Sequence, residues 1–289
     1  MHQSVIDAWF KHSAEYEGRV STMYLDILGL VTTAQGNLVD TISEAQKLNW
    51  KLPNGVTATD AQVAEEWRLL KGQQSLAKFH YKIQAQRAPL RLHLDDRDID
   101  ALVIAKLLAN EAYMRKSHFP EWDSWPADAQ LAVSSMAWAV GPGFAKKFPN
   151  FTRMINAGQW RQILKKDANG GWAGKIRETA PDGTFNAGVV PRNKSNYLCL
   201  ENTVYALEHE LPLGELFWPG RAEVYVGNLE PQKAPSPVAE PTRASDATLR
   251  AQVLALQADY ARQIRDADHL DKMAELAGIE SQPPPKLES

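Results

Sequence analysis

Cysteine is nearly missing from this chain: one, Cys199, stands among 289 residues. A lone cysteine cannot form an intrachain disulfide, and no Cys/His cluster is spaced as a zinc site, so packing alone must hold the fold. The seven histidines include no His-x-x-x-His pair, and neither a metal nor another cofactor is expected. An excess of positive charge is missing too. Thirty-two Lys+Arg against thirty-five Asp+Glu leave a formal charge of -3, which argues against a dedicated nucleic-acid binder. Long apolar runs are also absent. Charges interrupt the opening MHQSVIDAWFKHSAEYEGR, so it offers no signal-peptide core. LAVSSMAWAVGPGFA at 131–145, within the longest uncharged stretch, is too short and too glycine-broken to span a membrane. A soluble chain made in the cytoplasm is expected; work outside it would need another machine or a membrane lesion for transport.

Hydrophobic residues make up 44% of the chain, sufficient for a sizeable core. Nine tryptophans read first as core, with a carbohydrate- or protein-binding surface as the other reading. Composition changes after LPLGELFWPG at 211–220, and four prolines fall between Pro231 and Pro241. Residues 221–245 therefore read as a linker. Beyond it Leu249, Val253, Leu256 and Tyr260 recur at three- and four-residue steps, followed by Ile264. That spacing predicts an amphipathic helix within 246–280, capped by Ser245 or Asp246, whose apolar stripe must lie on the main domain or on a partner. The tail at 281–289 reads as disordered.

Residues 1–220 are mostly helical in pattern. Helices are expected over 3–16, with Val5, Ile6, Trp9 and Phe10 inward, and near 41–50, 59–85, 98–117, 127–140, 150–155, 157–166 and 193–210. Short strands and turns are expected at 29–37, and a strand or extended loop at 88–100. The fold class is mainly α, of the α+β type, with a small β element.

Glu17 falls at the end of the first predicted helix, Asp26 lies nine residues later and Thr32 six beyond that. Two carboxylates and a hydroxyl converge if the chain turns back as a hairpin. Each also has a plain structural reading: Glu17 in a last helical turn, Asp26 as a turn former, Thr32 as a strand residue. Tyr24 reads as packing, and Cys199 as a small buried hydrophobe.

Glu17-Gly18, Tyr24, Asp26, Gly29, Thr32 and Gly36 together resemble the active-site signature of the phage T4-type lysozymes. AQLAVSSMAWAVGPGFAKKFPNFTRMINAGQWRQIL at 129–164 is similar to that family's central helix, glycine turn and lobe helix. GVVPRNKSNYLCLENT at 188–203 is similar to its late arginine-bearing helix. The resemblance covers roughly 10–45 and 127–210 and leaves 46–126 as an enlarged lobe or insertion.

The resemblance implies a two-lobed lysozyme-like fold over 1–220 with a β-hairpin beside a cleft. It also implies hydrolysis of the β-1,4 bond between N-acetylmuramic acid and N-acetylglucosamine in bacterial peptidoglycan, with inversion. Glu17 would be the general acid, Asp26 the general base on water, and Thr32 the residue holding that water. Arg192 would orient Glu17, with Tyr24, Gly36 and Asn37 in support. Asn37 stands where the family has a buttressing histidine, and PRNKS lacks its usual run of arginines.

The missing leader fits a phage endolysin, a phage-tail lysozyme or an antibacterial effector of a contractile secretion apparatus, acting in the periplasm after injection or holin-dependent release. The linker and terminal helix suggest a carrier or an immunity protein as partner, with no stable membrane insertion. Two other readings remain: a non-catalytic lysozyme-fold protein that binds cell wall or serves assembly, and a hydrolase of a related aminosugar polymer such as chitin.

Overall fold

A computed structural model describes residues 1–165, 190–227, 252–254, 256–258 and 260–265. The described chain is mainly helical with one three-stranded antiparallel sheet. It divides into two compact units. The first holds 1–12, 107–165, 190–227, 257–258 and 260–265; the second holds 13–106, 252–254 and 256. Among the described residues no helix is long and apolar enough to cross a membrane.

The second unit is built around strands β1 (Val20–Leu25), β2 (Val31–Ala34) and β3 (Asn37–Leu38), which follow helix α1 (Gln3–Glu17). β-Branched Val20, Thr22, Val31, Thr32 and Thr33 suit the pleat. The register sets Tyr24 opposite Thr32 and Leu25 opposite Val31, with an irregularity between Val20 and Tyr24. Helices α2 (Ile42–Ala45) and α3 (Asp60–Lys71) open on capping boxes, Thr41 with Glu44 and Thr59 with Gln62.

Three expectations are corrected in this unit. The helix expected over 41–50 is only four residues long, because the chain turns out and the Trp50 indole donates to the Ala45 carbonyl at 2.8 Å. The helix expected over 59–85 is two: α3 stops before Gly72, a 3-10 turn spans Gln74–Lys78, and α4 (Tyr81–Arg87) starts afresh. Glycine is a poor helix residue, and the break sends the Lys71 ammonium to the Gly29 carbonyl and to Asp40, at 2.9 and 2.6 Å. The next helix, α5 (Asp96–Ser117), begins two residues before Asp98. The 88–100 segment is extended, and His93 pairs with Lys51 as an antiparallel bridge.

In the first unit, α6 (Ala127–Val140) packs on α10 (Val190–Glu208). Between them in sequence lie the short α7 (Phe144–Lys147), α8 (Pro149–Asn156) and α9 (Trp160–Ile163). Phe119, Trp122, Trp125, Phe144, Phe151 and Trp160 are all buried. The Phe119 and Trp125 rings meet edge to face at 5.2 Å, as do Trp125 and Trp160, and such pairs add about 0.5–1.5 kcal/mol beyond area burial. Trp50, Trp122 and Trp125, three of the four tryptophans of the 46–126 region, are thus core. The fourth, Trp67, is half-buried, its indole N–H donating to the Val39 carbonyl at 2.9 Å.

A buried carboxylate ties the end of this unit together. Asp128 accepts from the Asn202 amide at 2.9 Å and from the backbone N–H groups of Phe217 and Trp218 at 2.8 and 3.2 Å. Burial pushes its carboxyl up to about 6, against the pull of those three donors. Cys199 is fully buried in α10, as expected for a small hydrophobe.

Residues expected to begin the linker instead form helix α11 (Ala222–Gly227). The rest of that segment, the Ser245/Asp246 cap and the 281–289 tail lie outside the described residues. Helical residues do recur at 252–254, 256–258 and 260–265, and Val253 and Tyr260 of the expected stripe are buried. The Gln252 amide donates to Asp98 at 2.7 Å within the second unit. Part of the stripe is therefore covered by the chain itself.

Candidate active site

The second unit brings six of the seven sequence-singled residues onto one turn-strand-turn segment. Glu17 is the last residue of α1 and half-buried. Gly18 ends that helix in a left-handed conformation, φ +72°, with its N–H donating to the Ala14 carbonyl at 3.2 Å. A Cβ on Gly18 would stand 2.6 Å from the Tyr81 hydroxyl oxygen, so both backbone angle and space require glycine.

Asp26 follows β1 directly and makes the turn into β2. Its Oδ1 accepts from the backbone N–H groups of Leu28 and Leu30 at 2.8 and 2.9 Å, and its own N–H donates to the Leu30 carbonyl at 2.9 Å. The turn-former reading of Asp26 is therefore correct as far as it goes. One carboxylate oxygen shapes the loop, while Oδ2 takes no part in these turn bonds. Burial raises the Asp26 carboxyl above its ordinary value, helped by the Asp40 charge and opposed by the two backbone donors and Lys71. A carboxylate displaced upward is a better proton acceptor.

Tyr24 has its phenol pushed up by burial first and then by the charges of Glu17 and Asp26. Its strand partner is Thr32, which is 4% exposed and donates its hydroxyl to the Leu30 carbonyl at 3.2 Å. The strand-residue reading of Thr32 holds as well, and its oxygen retains lone pairs for a further donor.

The turn after β2 is fixed from several directions. Gly36 has φ +74°; its backbone N–H bonds the Tyr24 oxygen, and its carbonyl accepts from the Lys106 ammonium at 2.5 Å. Gln35 is buried and its Oε1 accepts from the Ser13 hydroxyl at 2.5 Å. Asn37 is fully buried; Oδ1 accepts from the Gln35 N–H at 3.2 Å and Nδ2 donates to the Leu102 carbonyl of α5 at 3.3 Å. This amide does by hydrogen bonding what a buttressing residue must do. Asn37→Ala removes both of these hydrogen bonds from the core and, at about 0.5–1.5 kcal/mol each, is expected to destabilise the protein by about 1–3 kcal/mol. Urea denaturation checks this, and an unchanged midpoint would show that the turn is held without Asn37.

Arg192, the seventh residue, belongs to the first unit. It lies near the start of α10, 4% exposed, with Nη1 donating to the Ser135 carbonyl and hydroxyl at 3.3 and 3.4 Å. The nearby His12 ring meets the Ser195 hydroxyl at 3.4 Å. Its pKa falls to about 3, by burial first and then by the Arg192 charge, so the ring is neutral. A buried arginine close to a neutral histidine is a polar site inside a helix interface, more constrained than an ordinary helix-start arginine.

Gln84 and Lys106 were not singled out in the sequence. The Gln84 amide clamps β1 by accepting from the Leu25 N–H at 2.8 Å and donating to the Leu25 carbonyl at 2.7 Å. Lys106 carries a legible signal, as the lone charge within the apolar run ALVIAKLLA of α5; Gln84 carries none. A groove of about 270 Å³ lined by Leu52, Glu66, Leu69 and Arg91 lies in the same unit. It includes none of the candidate residues, and the Glu66 carboxylate is committed to the backbone N–H groups of Arg91 and Leu92. Among the described residues no three His, Cys, Asp or Glu side chains gather as a metal site.

No protein-family model, curated protein or solved structure matches this chain.

Proposed function

We propose that this protein is a muramidase, hydrolysing the β-1,4 bond between N-acetylmuramic acid and N-acetylglucosamine in bacterial peptidoglycan. The observation that carries the reading is the placement of Glu17, Tyr24, Asp26 and Thr32 on one continuous segment of helix end, strand, turn and strand, with Tyr24 and Thr32 paired across the sheet. Cleavage of a glycosidic bond needs a carboxyl that protonates the leaving oxygen and a carboxylate that activates water on the opposite face of the ring. Glu17 takes the first role. Asp26, with a raised carboxyl, takes the second through Oδ2, and Thr32 holds the water. No cofactor enters the chemistry. The fold is then the two-lobed lysozyme type, and the setting a phage lytic protein or a secreted antibacterial effector acting in the periplasm.

A second reading has one observation behind it. The double backbone cap on Asp26 Oδ1 is what a purely structural turn residue makes, and it suits a non-catalytic protein that binds cell wall. One assay separates the two. Purified peptidoglycan incubated with the protein at pH 4–8 is expected to release soluble fragments with reducing muramic-acid ends, read by mass analysis. Reducing glucosamine ends would indicate a different bond, and sedimentation with the wall without any release would establish binding alone.

A further inference from the structure

The region 46–126 has no counterpart in the resemblance that suggested the chemistry, yet one part of it reaches the candidate site. Helix α4 is fastened to β1 by the Gln84 amide, which bonds both backbone groups of Leu25 and also donates to the Phe79 carbonyl at 2.8 Å. Three amide bonds fix both the height and the rotation of this short helix against the strand. Its first residue, Tyr81, is half-buried. The hydroxyl edge of that ring covers Gly18: Oη, Cε1 and Cζ lie 2.6, 3.0 and 3.0 Å from where a Cβ would be. The same ring packs at 5.9 Å and 50° from the Tyr24 ring, and the two phenols interact electrostatically. The His80 ring covers it from the side, at 4.0 Å. Tyr81 thus touches the residue that follows Glu17 and the ring of Tyr24.

We propose that Tyr81 is a positioning residue for the glycosidase reaction, holding the Gly18 turn and the Tyr24 ring so that Glu17 meets the leaving oxygen. The proposal rests on the muramidase reading. Gly18 has no side chain to lock its own conformation, and glycine is the residue freest to drift. The hydroxyl edge of a ring set against it supplies that lock from outside. Misplacement of about 1 Å at a reacting group costs on the order of 10²-fold in rate, so a residue of this kind acts on kcat and leaves substrate affinity alone.

The test uses the full chain on soluble peptidoglycan fragments, with thermal melts for each variant. Tyr81→Ala is expected to lower kcat at least 10-fold with KM within about twofold and the melting transition retained. Tyr81→Phe keeps Cε1 and Cζ over Gly18 and is expected to recover kcat to within about threefold of wild type. If Tyr81→Ala proves unfolded, Tyr81→Leu replaces it with the same expectation. Unchanged kcat in a folded variant, or a rise in KM with kcat intact, overturns the positioning role. So does a Phe variant as impaired as Ala. Wild type that releases no reducing ends overturns this proposal together with the muramidase reading, whereas active wild type beside an unimpaired Tyr81→Ala overturns this proposal alone.

Discussion

Glu17→Gln is expected to reduce the release of reducing ends by about 10²- to 10⁴-fold, the usual range for removing a positioned general acid. The melting temperature should stay within about 2 °C of wild type, because the exchange of a carboxylate for an amide of nearly equal shape is expected to change stability by only about 0.5 kcal/mol. Glutamine preserves the length of the side chain at the end of α1, so Gly18 and the Tyr81 ring upon it are not disturbed. It cannot give up a carboxyl proton. A thousandfold loss corresponds to about 4 kcal/mol of transition-state stabilisation, far more than any one contact of a half-buried side chain supplies to folding. Rate and stability should therefore separate cleanly. If Glu17→Gln cleaves wall as fast as wild type, the acid lies elsewhere and the mechanism is wrong.

Asp26 requires two substitutions, since it has two jobs. Asp26→Asn keeps Oδ1 as the acceptor for the Leu28 and Leu30 N–H groups. It is expected to fold normally while losing about 10²- to 10⁴-fold in rate, because an amide cannot take a proton from water. Asp26→Ala loses the rate and also the turn, at about 1–3 kcal/mol for two backbone donors left unsatisfied. The pH dependence carries the same distinction. A general base works ionised, and burial raises the Asp26 carboxyl. Wild-type activity should therefore fall, as pH is lowered, through a limb displaced above the ordinary carboxylate range. For stability the sign is opposite. A raised folded value favours the protonated acid in the fold, so the contribution of Asp26 is present at low pH and lost as pH rises through that value. Relative to wild type, Asp26→Asn should then gain stability as pH rises through the same window. Asp26→Asn with wild-type rates would leave Asp26 a turn residue and favour the wall-binding reading.

The parts of the fold that were legible in the sequence are those whose information is local. α1, α5, α6 and α10 announce themselves by apolar periodicity over three or more turns. The break at Gly72 has one local signal, the glycine itself, while the residues on either side continue to suit a helix; the bonds of Lys71 and Gln74 to the distant Gly29 carbonyl, made where the helix stops, are not local. The same division runs through the site. Glu17, Asp26 and Thr32 stand at fixed spacings on one short segment, so their places at the helix end, the turn and the strand could be anticipated from a hairpin alone. Gln84 and Lys106 meet that segment from 59 and 70 positions away, a pairing that no periodicity or turn signal encodes. The spare oxygen of Asp26 was equally invisible, since a turn former and a base look alike until the acceptors are counted.

The discontinuity of the first unit has a consequence in time. Ser4 donates to the Gly214 carbonyl across 210 positions at 2.7 Å, and Trp9 packs against Trp138 at 5.1 Å. At about 5–20 residues per second, a ribosome needs on the order of 10–40 s to make the chain between Ser4 and its partner. Throughout that interval the opening helix has left the tunnel with Val5 and Trp9, both core residues of the finished protein, still uncovered. The stretch from Ser13 to Lys106, which carries the sheet of the other unit, is made long before. Nascent chains of this protein therefore carry an early-made, late-buried apolar segment, the kind of surface that chaperones bind during synthesis.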